Sequence, residues 1–273
     1  MTKRIIYVNS NHEGGRYLRE AVVSARSFRR FVDDCEIVLY TNEPGFRDSV
    51  FDEVTQVKFE VPPKLRRREH KNGQMLVKHQ AMIETTAERN LVLGSDTLAV
   101  SSRVRSAFDL LDRFDLAAAH APTRVCAPIP GIPDAWPELN CDVVFFRKSS
   151  RALDLLTQWA RLYREDLVDH PHDQGAFRKL TYLLDARIAV LPFEFNDRMG
   201  LFGVQARPFE RTAVQTVIIQ NREVISKVVR GEISVDDLAP GSTSRSGCWW
   251  RGGRDRLMRL MGRVGSPKRR EHP

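Results

Sequence analysis

Short apolar runs alternate along the chain with longer segments whose apolar residues recur every three or four positions. The runs predict strands at Arg4–Val8, Glu36–Thr41, Val54–Val61, Leu91–Leu93, Thr97–Val100, Leu116–Ala119, Asp142–Phe146 and Ile188–Leu191. The spaced segments predict helices at 18–32, Met75–Glu88, Arg103–Leu111, Ser149–Glu165 and Asp173–Leu184. Such alternation is typical of an α/β domain with a mostly parallel central sheet flanked by helices.

In a sheet of this kind, ligands bind beyond the carboxyl ends of the strands. The segments that follow the predicted strands are therefore the places to search for chemistry. They are Asn9–Gly15, Gly94–Thr97, His120–Pro137 and residues 193–198.

The distribution of charge divides the chain into a body and a tail. The 273 residues carry a formal net charge of +8, yet residues 240–273 contain nine Lys or Arg and only two Asp or Glu. The tail therefore holds seven of the eight net positive charges. Ala239–Gly247, where the tail begins, is rich in Pro, Gly and Ser, as linkers are. We predict one domain at 1–238 and a basic, amphipathic or disordered tail at 239–273.

Run lengths and cysteine spacing indicate a cellular location. No apolar run approaches the roughly 20 residues that a bilayer-spanning helix needs. Residues 5–8 are too short a run for the core of a signal peptide. The four cysteines are scattered, which favours free thiols over disulfides or a zinc site. We therefore expect a cytoplasmic protein.

The run NLVLGSDTLAV, residues 90–100, contains the first candidate for chemistry. Its buried β-formers break at Gly94 and Ser95, which places Asp96 at the mouth of the sheet. A carboxylate there can bind a hard divalent cation that keeps positions open for phosphate oxygens. The alternative is that Asp96 caps a turn or the following helix.

Three more polar clusters accompany later elements. The run ELNCDVVFFRK brings Asn140 and Asp142 to the start of a buried strand. The run HPHDQGAFRKL places Asp173 and Gln174 where a helix begins, and Asp173 is alternatively a plain N-cap. The run LPFEFNDR ends a further strand with polar residues. Four clusters in chain order are what a site along one sheet edge requires.

In order and spacing, five segments resemble those of the nucleotide-diphospho-sugar glycosyltransferases with the type-A fold, over residues 4–225. RIIYVNSN, with Tyr17 and Leu18, resembles the family's first nucleotide-binding strand and helix. NLVLGSDTLAV resembles the segment YLDSDTLV, whose aspartates form the DxD motif. ELNCDVVFFRKS resembles ELNTGVVFFR, HDQGAFR resembles the DQ-x-A-F helix, and LPFEFN resembles the strand that follows it.

The resemblance implies a single Rossmann-like transferase domain. Such a hexosyltransferase-like enzyme moves a sugar, often from a UDP-sugar, to an acceptor hydroxyl in cell-surface glycan or glycoconjugate assembly. By resemblance, Val8 and Asn9 lie against the base, and Ser95 and Asp96 face the ribose and the metal. Lys78 is placed like a family lysine near the diphosphate, and is otherwise an ordinary solvated helix residue.

The resemblance also assigns residues to the sugar and the acceptor. Asn140 and Asp142 would border both, and Asp173 and Gln174 would contact the transferred sugar. Asp142 and Asp173 are the candidates for the general base that an inverting enzyme needs. Retaining and inverting enzymes share this framework, so the stereochemical outcome stays open.

Two departures from the family pattern concern the metal. Gly94 stands at the first DxD position, so only Asp96 remains as a metal ligand there. Relatives supply a late histidine in a stretch resembling VIHxxG, where this chain has VIIQNR with Gln220 or Asn221. Three alternatives follow: Mn²⁺ or Mg²⁺ binds only together with the donor, arginines replace the cation, or the chain is an inactive sugar-nucleotide-binding or scaffolding protein.

The basic run KLRRREHK, Lys64–Lys71, supports the second alternative. Arginine matches phosphate geometry with two parallel hydrogen bonds. A loop with this composition can close over a diphosphate, and it is otherwise a solvated run of charges.

The tail indicates a further partner. Residues 248–264, CWWRGGRDRLMRLMGRV, place apolar residues mainly on one side of a helical wheel and arginines mainly on the other. Tryptophan beside such a segment suits an anionic membrane surface, which predicts peripheral attachment at the inner face of the cell membrane. The alternatives are a partner-docking helix or a disordered end. A nearly uncharged body without a recognised module argues against nucleic acid as a partner.

Overall fold

A computed structural model describes residues 2–10, 12–60, 69–121, 128–165, 172–198 and 216–238. Its centre is a sheet of seven strands in the order β3-β2-β1-β4-β7-β6-β8. These strands are β1 (Lys3–Val8), β2 (Cys35–Thr41), β3 (Glu53–Gln56), β4 (Arg89–Leu93), β6 (Leu116–His120), β7 (Leu139–Arg147) and β8 (Ile188–Leu191). Between β4 and β6 in the chain lies β5 (Thr97–Ala99).

The predicted mostly parallel sheet is confirmed. β1 pairs in parallel with both β2 and β4, β2 with β3, and β6 with β8. Only β7 runs against its neighbours, β4 and β6. Because β7 is reversed, its amino end lies at the edge where the parallel strands have their carboxyl ends.

Successive residues of the inner strands point to opposite faces of the sheet, and both faces are covered. In β1, Ile5 and Tyr7 belong to the core cluster that contains Leu18 and Phe28. Ile6, between them, belongs to the cluster on the other face. Burial on both faces explains why these strands are continuous apolar runs in the sequence.

Helices cover both faces of the sheet. They are α1 (His12–Arg29), α2 (Glu69–Glu84), α3 (Arg105–Asp109), α4 (Ser150–Glu165) and α5 (Gln174–Leu183). The core cluster with residues of α1 and α3 fills one face, and that with residues of α2, α4 and α5 fills the other. The chain therefore forms a three-layer α/β domain, as the alternation of strands and helices predicted.

A second, two-stranded sheet lies beside α1. It pairs β5 with β9 (Ile218–Gln220) in antiparallel register, with Thr97 opposite Gln220. Helix α6 (Arg222–Val229) follows at once, and Leu98, Ile219 and Ile225 share a small core. The last described element is α7 (Val235–Leu238). This ribbon brings the end of β9 next to the residues that follow β4.

Several predicted boundaries were wrong, for local physical reasons. The strand predicted at Val54–Val61 ends at Gln56. The helix predicted at Met75–Glu88 spans Glu69–Glu84, and Thr85 and Asn90 then bond each other through their side chains at 2.7 Å. LPFEFN, which resembles a strand of the family, continues past the end of β8 as a 3₁₀ turn at Phe193–Asn196.

Some predictions fall partly or wholly outside the described residues. The tail at 239–273 does so, and so does most of the basic run Lys64–Lys71. The last three residues of that run belong to α2 and not to a loop. No helix in the described part of the chain is long and apolar enough to cross a membrane.

Candidate active site

A cavity of about 330 Å³ opens at the carboxyl edge of the sheet, between the ends of β1 and β4, the start of β7 and the end of β9. Seven of the nine residues predicted to bind or react line it. They are Val8, Asn9, Ser95, Asp96, Asp142, Asp173 and Gln174. Residues from four separate parts of the chain thus meet in one concave site, as the order of the polar clusters predicted.

Asp96 lies on the cavity wall, in the short connection between β4 and β5. Its side chain retains 19% of its exposure, and its Oδ2 is 3.4 Å from Nη2 of Arg222. The backbone carbonyl of Asp96 accepts a hydrogen bond from Asn221 at 3.0 Å. The carboxylate therefore faces the cavity and does not cap a helix.

Asp142 provides a second carboxylate beside Asp96. The side-chain amide of Gln220 donates to Asp142 Oδ2 at 3.0 Å and reaches Asp96 Oδ1 at 3.5 Å. Burial raises the pKa of Asp96 above its usual value, and the charge of Asp142 adds to this, while Arg222 and Gln220 oppose it. The two carboxylates therefore repel each other in a partly dry site and share one amide group between them.

Arg222 is held in place from the side of α1. Its guanidinium lies 4.8 Å from the ring centre of Tyr17 and 4.0 Å from Oε2 of Glu20. Glu20 also accepts from the hydroxyl of Ser95 at 3.3 Å. Stacking and ion pairing fix the planar guanidinium at the cavity, where it can meet an anion with paired hydrogen bonds.

Asp173 forms the opposite wall and is held by a buried network. Lys78 Nζ lies 2.5 Å from Asp173 Oδ2, and His79 donates to the same oxygen at 3.1 Å. The thiol of Cys141 donates to Asp173 Oδ1 at 3.2 Å. The indole of Trp159 donates to the backbone carbonyl of Asp173 at 2.9 Å. The carboxylate is thus fixed by α2, α4 and β7 together.

This network determines the charge of Asp173. Burial alone would raise its pKa, but the charge of Lys78 and the hydrogen bond from His79 outweigh burial and hold the pKa far below its usual range. A carboxylate this acidic is a weak proton acceptor. It is therefore poorly suited to the general-base role considered from the sequence.

Two of the predicted site residues lie behind the cavity wall. Lys78 does not line the cavity. It is 5% exposed and forms an ion pair with Asp173. Asn140 is fully buried and uses its side-chain oxygen to accept from the backbone of Asp142 at 2.9 Å. Both residues support the wall of the site and do not form its surface.

The residues present fit a divalent cation only in part. Among the described residues, no three His, Cys, Asp or Glu side chains converge on one point. The carboxylates of Asp96 and Asp142 nevertheless flank the amide of Gln220, whose Oε1 is buried without a hydrogen-bond partner in the described structure. Carboxylate and amide oxygens are the ligands that hard cations such as Mg²⁺ and Mn²⁺ accept. The oxygen chemistry suits such an ion.

Sequence reasoning gave no role to several cavity residues, among them Tyr17, Gln74, Met75, Arg198 and Arg222. Arg222 had a usable signal. Asn221 is a favourable N-cap, and its side chain accepts from the backbone of Glu223 and Val224. Recognising that cap would have placed Arg222 at the first turn of a helix directly after β9.

Comparison with solved structures identifies the fold. The galactosyltransferase LgtC, in complex with donor and acceptor sugar analogues, superposes with a TM-score of 0.57. The alignment covers 97% of this chain and 98% of that chain, at 15% identity. The chain has the type-A glycosyltransferase fold.

Two other proteins match over the same type-A glycosyltransferase fold. One is a glycosyltransferase involved in the glycosylation of the major capsid of PBCV-1, with a TM-score of 0.52 and 13% identity over 85% of this chain and 100% of that chain. The other is the glycosyltransferase GlyE of Streptococcus pneumoniae, with a TM-score of 0.52 and 14% identity over 99% of this chain and 67% of that chain. No protein-family model and no curated protein sequence matches the chain.

Proposed function

We propose that the protein is a glycosyltransferase that moves a hexose-like sugar from a nucleoside-diphosphate sugar, a UDP-sugar above all, to an acceptor hydroxyl. The observation that carries the proposal is the cavity itself: in a type-A glycosyltransferase fold, it places Asp96, Arg198 and Arg222 together beyond the end of β4. An acidic residue for a cation beside arginines for phosphate is what a sugar nucleotide requires.

The end of β1 provides the nucleoside side of the site. Val8 gives an apolar wall, and Asn9 is buried with its Oδ1 lacking a partner among the described residues. Buried polar groups are normally hydrogen-bonded. A pyrimidine base, whose N–H can donate to this oxygen, would satisfy it. Ser95, which lines the cavity and donates its hydroxyl to Glu20, would lie beside the ribose.

The arginines and Asp96 serve the diphosphate. The guanidinium groups of Arg198 and Arg222 would pair with phosphate oxygens and offset the negative charge that grows as the nucleoside diphosphate departs. A divalent cation bound at Asp96 would supply further charge neutralisation to the leaving group. Arg222 is already oriented by Tyr17 and Asp96, so little ordering is needed when the donor binds.

Asp173 and Gln174 face the transferred sugar. Asp173 stays ionised and immobile through Lys78 and His79, and can accept hydrogen bonds from sugar hydroxyl groups. The carboxamide of Gln174 is buried and donates to Glu138 at 2.5 Å, which fixes its orientation. A rigid polar wall of this kind holds the sugar relative to the diphosphate. The acceptor hydroxyl, in a cell-surface glycan or a glycoconjugate, would enter from the open side.

The proposal is tested by incubating the purified protein with a panel of nucleotide sugars, with and without Mn²⁺, and measuring thermal shift and donor hydrolysis. We expect a UDP-sugar to raise the melting temperature, since a ligand of the native state stabilises it, and to be hydrolysed slowly. Neither stabilisation nor hydrolysis with any sugar nucleotide would rule the proposal out.

Asp96→Asn is the matched variant for this assay. Loss of outer-shell partners of a metal site typically costs about 10–100-fold in affinity or activity. Loss of a direct ligand should therefore lower hydrolysis by about 100-fold or more. The exposed Asp154→Asn, on α4, is the control and should behave like the unmodified protein.

A second function, sugar-nucleotide binding without transfer, is favoured by one observation. Gly94 stands where a carboxylate is expected from the resemblance. In the same assay, stabilisation by a UDP-sugar without hydrolysis or transfer to any acceptor would identify the protein as a binding or scaffolding module.

A further inference from the structure

Gly94 and Asp142 are direct neighbours on adjacent strands. The backbone N–H of Gly94 donates to the carbonyl of Asp142 at 2.8 Å. A Cβ atom added at Gly94 would lie 3.5 Å from Cβ and 3.9 Å from Cγ of Asp142, and 3.0 Å from Oδ1 of Asp96. The Asp142 side chain therefore borders the same space that a side chain at position 94 would enter.

At these two positions the chain and the family segments that it resembles have glycine and aspartate exchanged. YLDSDTLV has an aspartate where this chain has Gly94, and ELNTGVVFFR has a glycine where this chain has Asp142. One carboxylate is absent from the end of β4, and one has been gained on the strand paired with it. The number of carboxylates at this corner of the cavity is unchanged.

Gln220 connects the pair. It is 4% exposed, and its amide lies between the two carboxylates, with Nε2 3.0 Å from Asp142 and 3.5 Å from Asp96. Its Oε1 has no partner in the part of the chain that the structure describes. A half-turn of the amide would exchange the two atoms and present Oε1 to the same point. That orientation is stable only with a cation there, because three oxygens would otherwise repel one another.

The charges at this corner leave a deficit of positive charge. Arg222 is the only side-chain cation in contact with either carboxylate among the described residues, and it also faces Glu20. Lys78 is near Asp142 but is paired with Asp173 at 2.5 Å. Asp96 thus shares Arg222 with Glu20, and no side-chain cation contacts Asp142 among the described residues. Two carboxylates in a largely buried place with so little positive charge favour the binding of a further cation.

We propose that Asp142 replaces the carboxylate missing at position 94, so that Asp96, Asp142 and the turned amide of Gln220 form a site for one hard divalent cation. The inference deepens the proposed function and rests on it for its role in donor binding. It also removes Asp142 from the candidates for a general base, because its carboxylate is used as a ligand.

The first test measures Mn²⁺ binding to the full chain by loss of the free-ion electron paramagnetic resonance signal, with Mn²⁺ alone and with Mn²⁺ plus UDP. We expect Asp142→Asn and Gln220→Leu each to weaken binding at least about tenfold, in line with the losses that follow removal of ligand support. Gln220→His, which restores an imidazole ligand, should retain binding. Asp154→Asn is the control, and circular dichroism melting checks that each variant folds.

The second test exchanges the two residues. Asp142→Gly should lose Mn²⁺ binding. Gly94→Asp alone should lower the melting temperature. The new Cβ would crowd Asp96, and the new side chain would add a third carboxylate. The double variant G94D/D142G should recover both the melting temperature and Mn²⁺ affinity to within a few-fold of the original protein.

Three outcomes would overturn the inference: no Mn²⁺ binding by the original protein in either arm, Asp142→Asn binding as tightly as the original, or the double variant binding no more tightly than Asp142→Gly. These readouts need no sugar transfer. Mn²⁺ binding without donor hydrolysis would therefore count against the proposed function and leave the cation site standing. Hydrolysis without Mn²⁺ binding would count against the cation site and leave the proposed function standing.

Discussion

Beneath the cavity, single side chains are held by charge as well as by packing. Lys78 and Asp173 are both almost fully buried. His79 donates to Asp173, and its ring centre lies 4.5 Å from that of Trp159. Breaking a buried ion pair by removing one partner is costly, because the other charge is left without compensation. The chemistry of the cavity wall and the stability of the fold therefore depend on the same residues.

Replacing Lys78 by methionine tests this coupling. We expect a loss of about 3–5 kcal/mol in the free energy of unfolding, because Asp173 then remains buried without its counter-ion. In K78M/D173N, most of that loss should be recovered. Urea unfolding of the two single variants and the double variant gives the coupling directly. If Lys78→Met and the double variant lose the same free energy of unfolding, packing and not charge stabilises this part of the core.

His79 predicts how stability depends on pH. Burial lowers its pKa, although Asp173 opposes this, and Lys78 and Arg164 add to the lowering. An unfolded histidine titrates near pH 6.5, so below that value the unfolded chain binds a proton that the folded chain resists. Stability should therefore be complete above about pH 6.5 and fall as the pH drops towards 5, by at most about 1.4 kcal/mol per pH unit from this group.

The measurement is urea unfolding at pH 7.5 and pH 5, with His79→Gln as the comparison. The variant should be less stable at pH 7.5, since its ring contacts with Trp159 and Tyr163 are lost. Its stability should nevertheless change less between the two pH values. An unchanged pH dependence in the variant would assign the effect to other groups.

At the residue scale, the sequence predicted which side chains gather but not what each one faces. Asp96, Asp142 and Asp173 line one cavity. Asp142 stands near the start of its strand, so it reaches this edge only because β7 runs antiparallel to β4 and β6. The burial of Lys78 could not be predicted, since its helical spacing fits a solvated face equally well. It follows from the tertiary contact between Lys78 of α2 and Asp173, the residue that precedes α5.

At the scale of elements, one buried carboxylate ties three strands together. Asp115, just before β6, is fully buried and accepts from Arg147 at 2.8 Å and from the hydroxyl of Ser149 at 2.8 Å. It also accepts from the backbone N–H of Arg187, just before β8, at 3.0 Å. This cluster fixes the far end of β7, and so the register that delivers Asp142 to the cavity.

Asp115→Ala should therefore lower the free energy of unfolding by about 3 kcal/mol, because several donors lose their charged acceptor. The exposed Asp154→Ala should change it by no more than about 0.5 kcal/mol. Chemical denaturation measures both. A small effect of Asp115→Ala would mean that strand pairing alone sets the end of β7.

The elements themselves were largely predictable, for a physical reason. Strands buried on both faces appear as apolar runs, and helices on the sheet show a clear 3.6-residue period, so β8 was predicted at its observed bounds. The reversed direction of β7 could not be read from its run, because burial is the same in either direction. The short β9 also escaped prediction, since three residues carry too little pattern. The helix α6 that follows it was not predicted either.

At the scale of the whole molecule, charge separates the two parts predicted from the sequence. The body is nearly neutral and holds the cavity, and most of the net charge lies in residues 240–273, outside the described structure. The composition of residues 248–264 predicts contact with an anionic membrane surface. This would bring the cavity near a lipid-linked acceptor.

Deleting residues 240–273 should abolish binding to vesicles that contain anionic lipid and leave binding to neutral vesicles as weak as before. The melting temperature should stay within a few degrees, because the core clusters lie in the body. Vesicle sedimentation at low and high salt measures the first effect, since electrostatic attachment weakens with salt. Retained binding by the truncated protein would place the membrane contact elsewhere.

The hydrogen bond between Gly94 and Asp142 has a consequence for how enzymes of this architecture are recognised. A search for the DxD motif examines one continuous segment and would miss a chain that has GSD at residues 94–96 in place of DSD. Positions 94 and 142 are far apart in the sequence and adjacent in space. A carboxylate missing at one position can therefore be supplied from the other. Homologues should therefore be classed as active or inactive only after the residues on both paired strands have been compared.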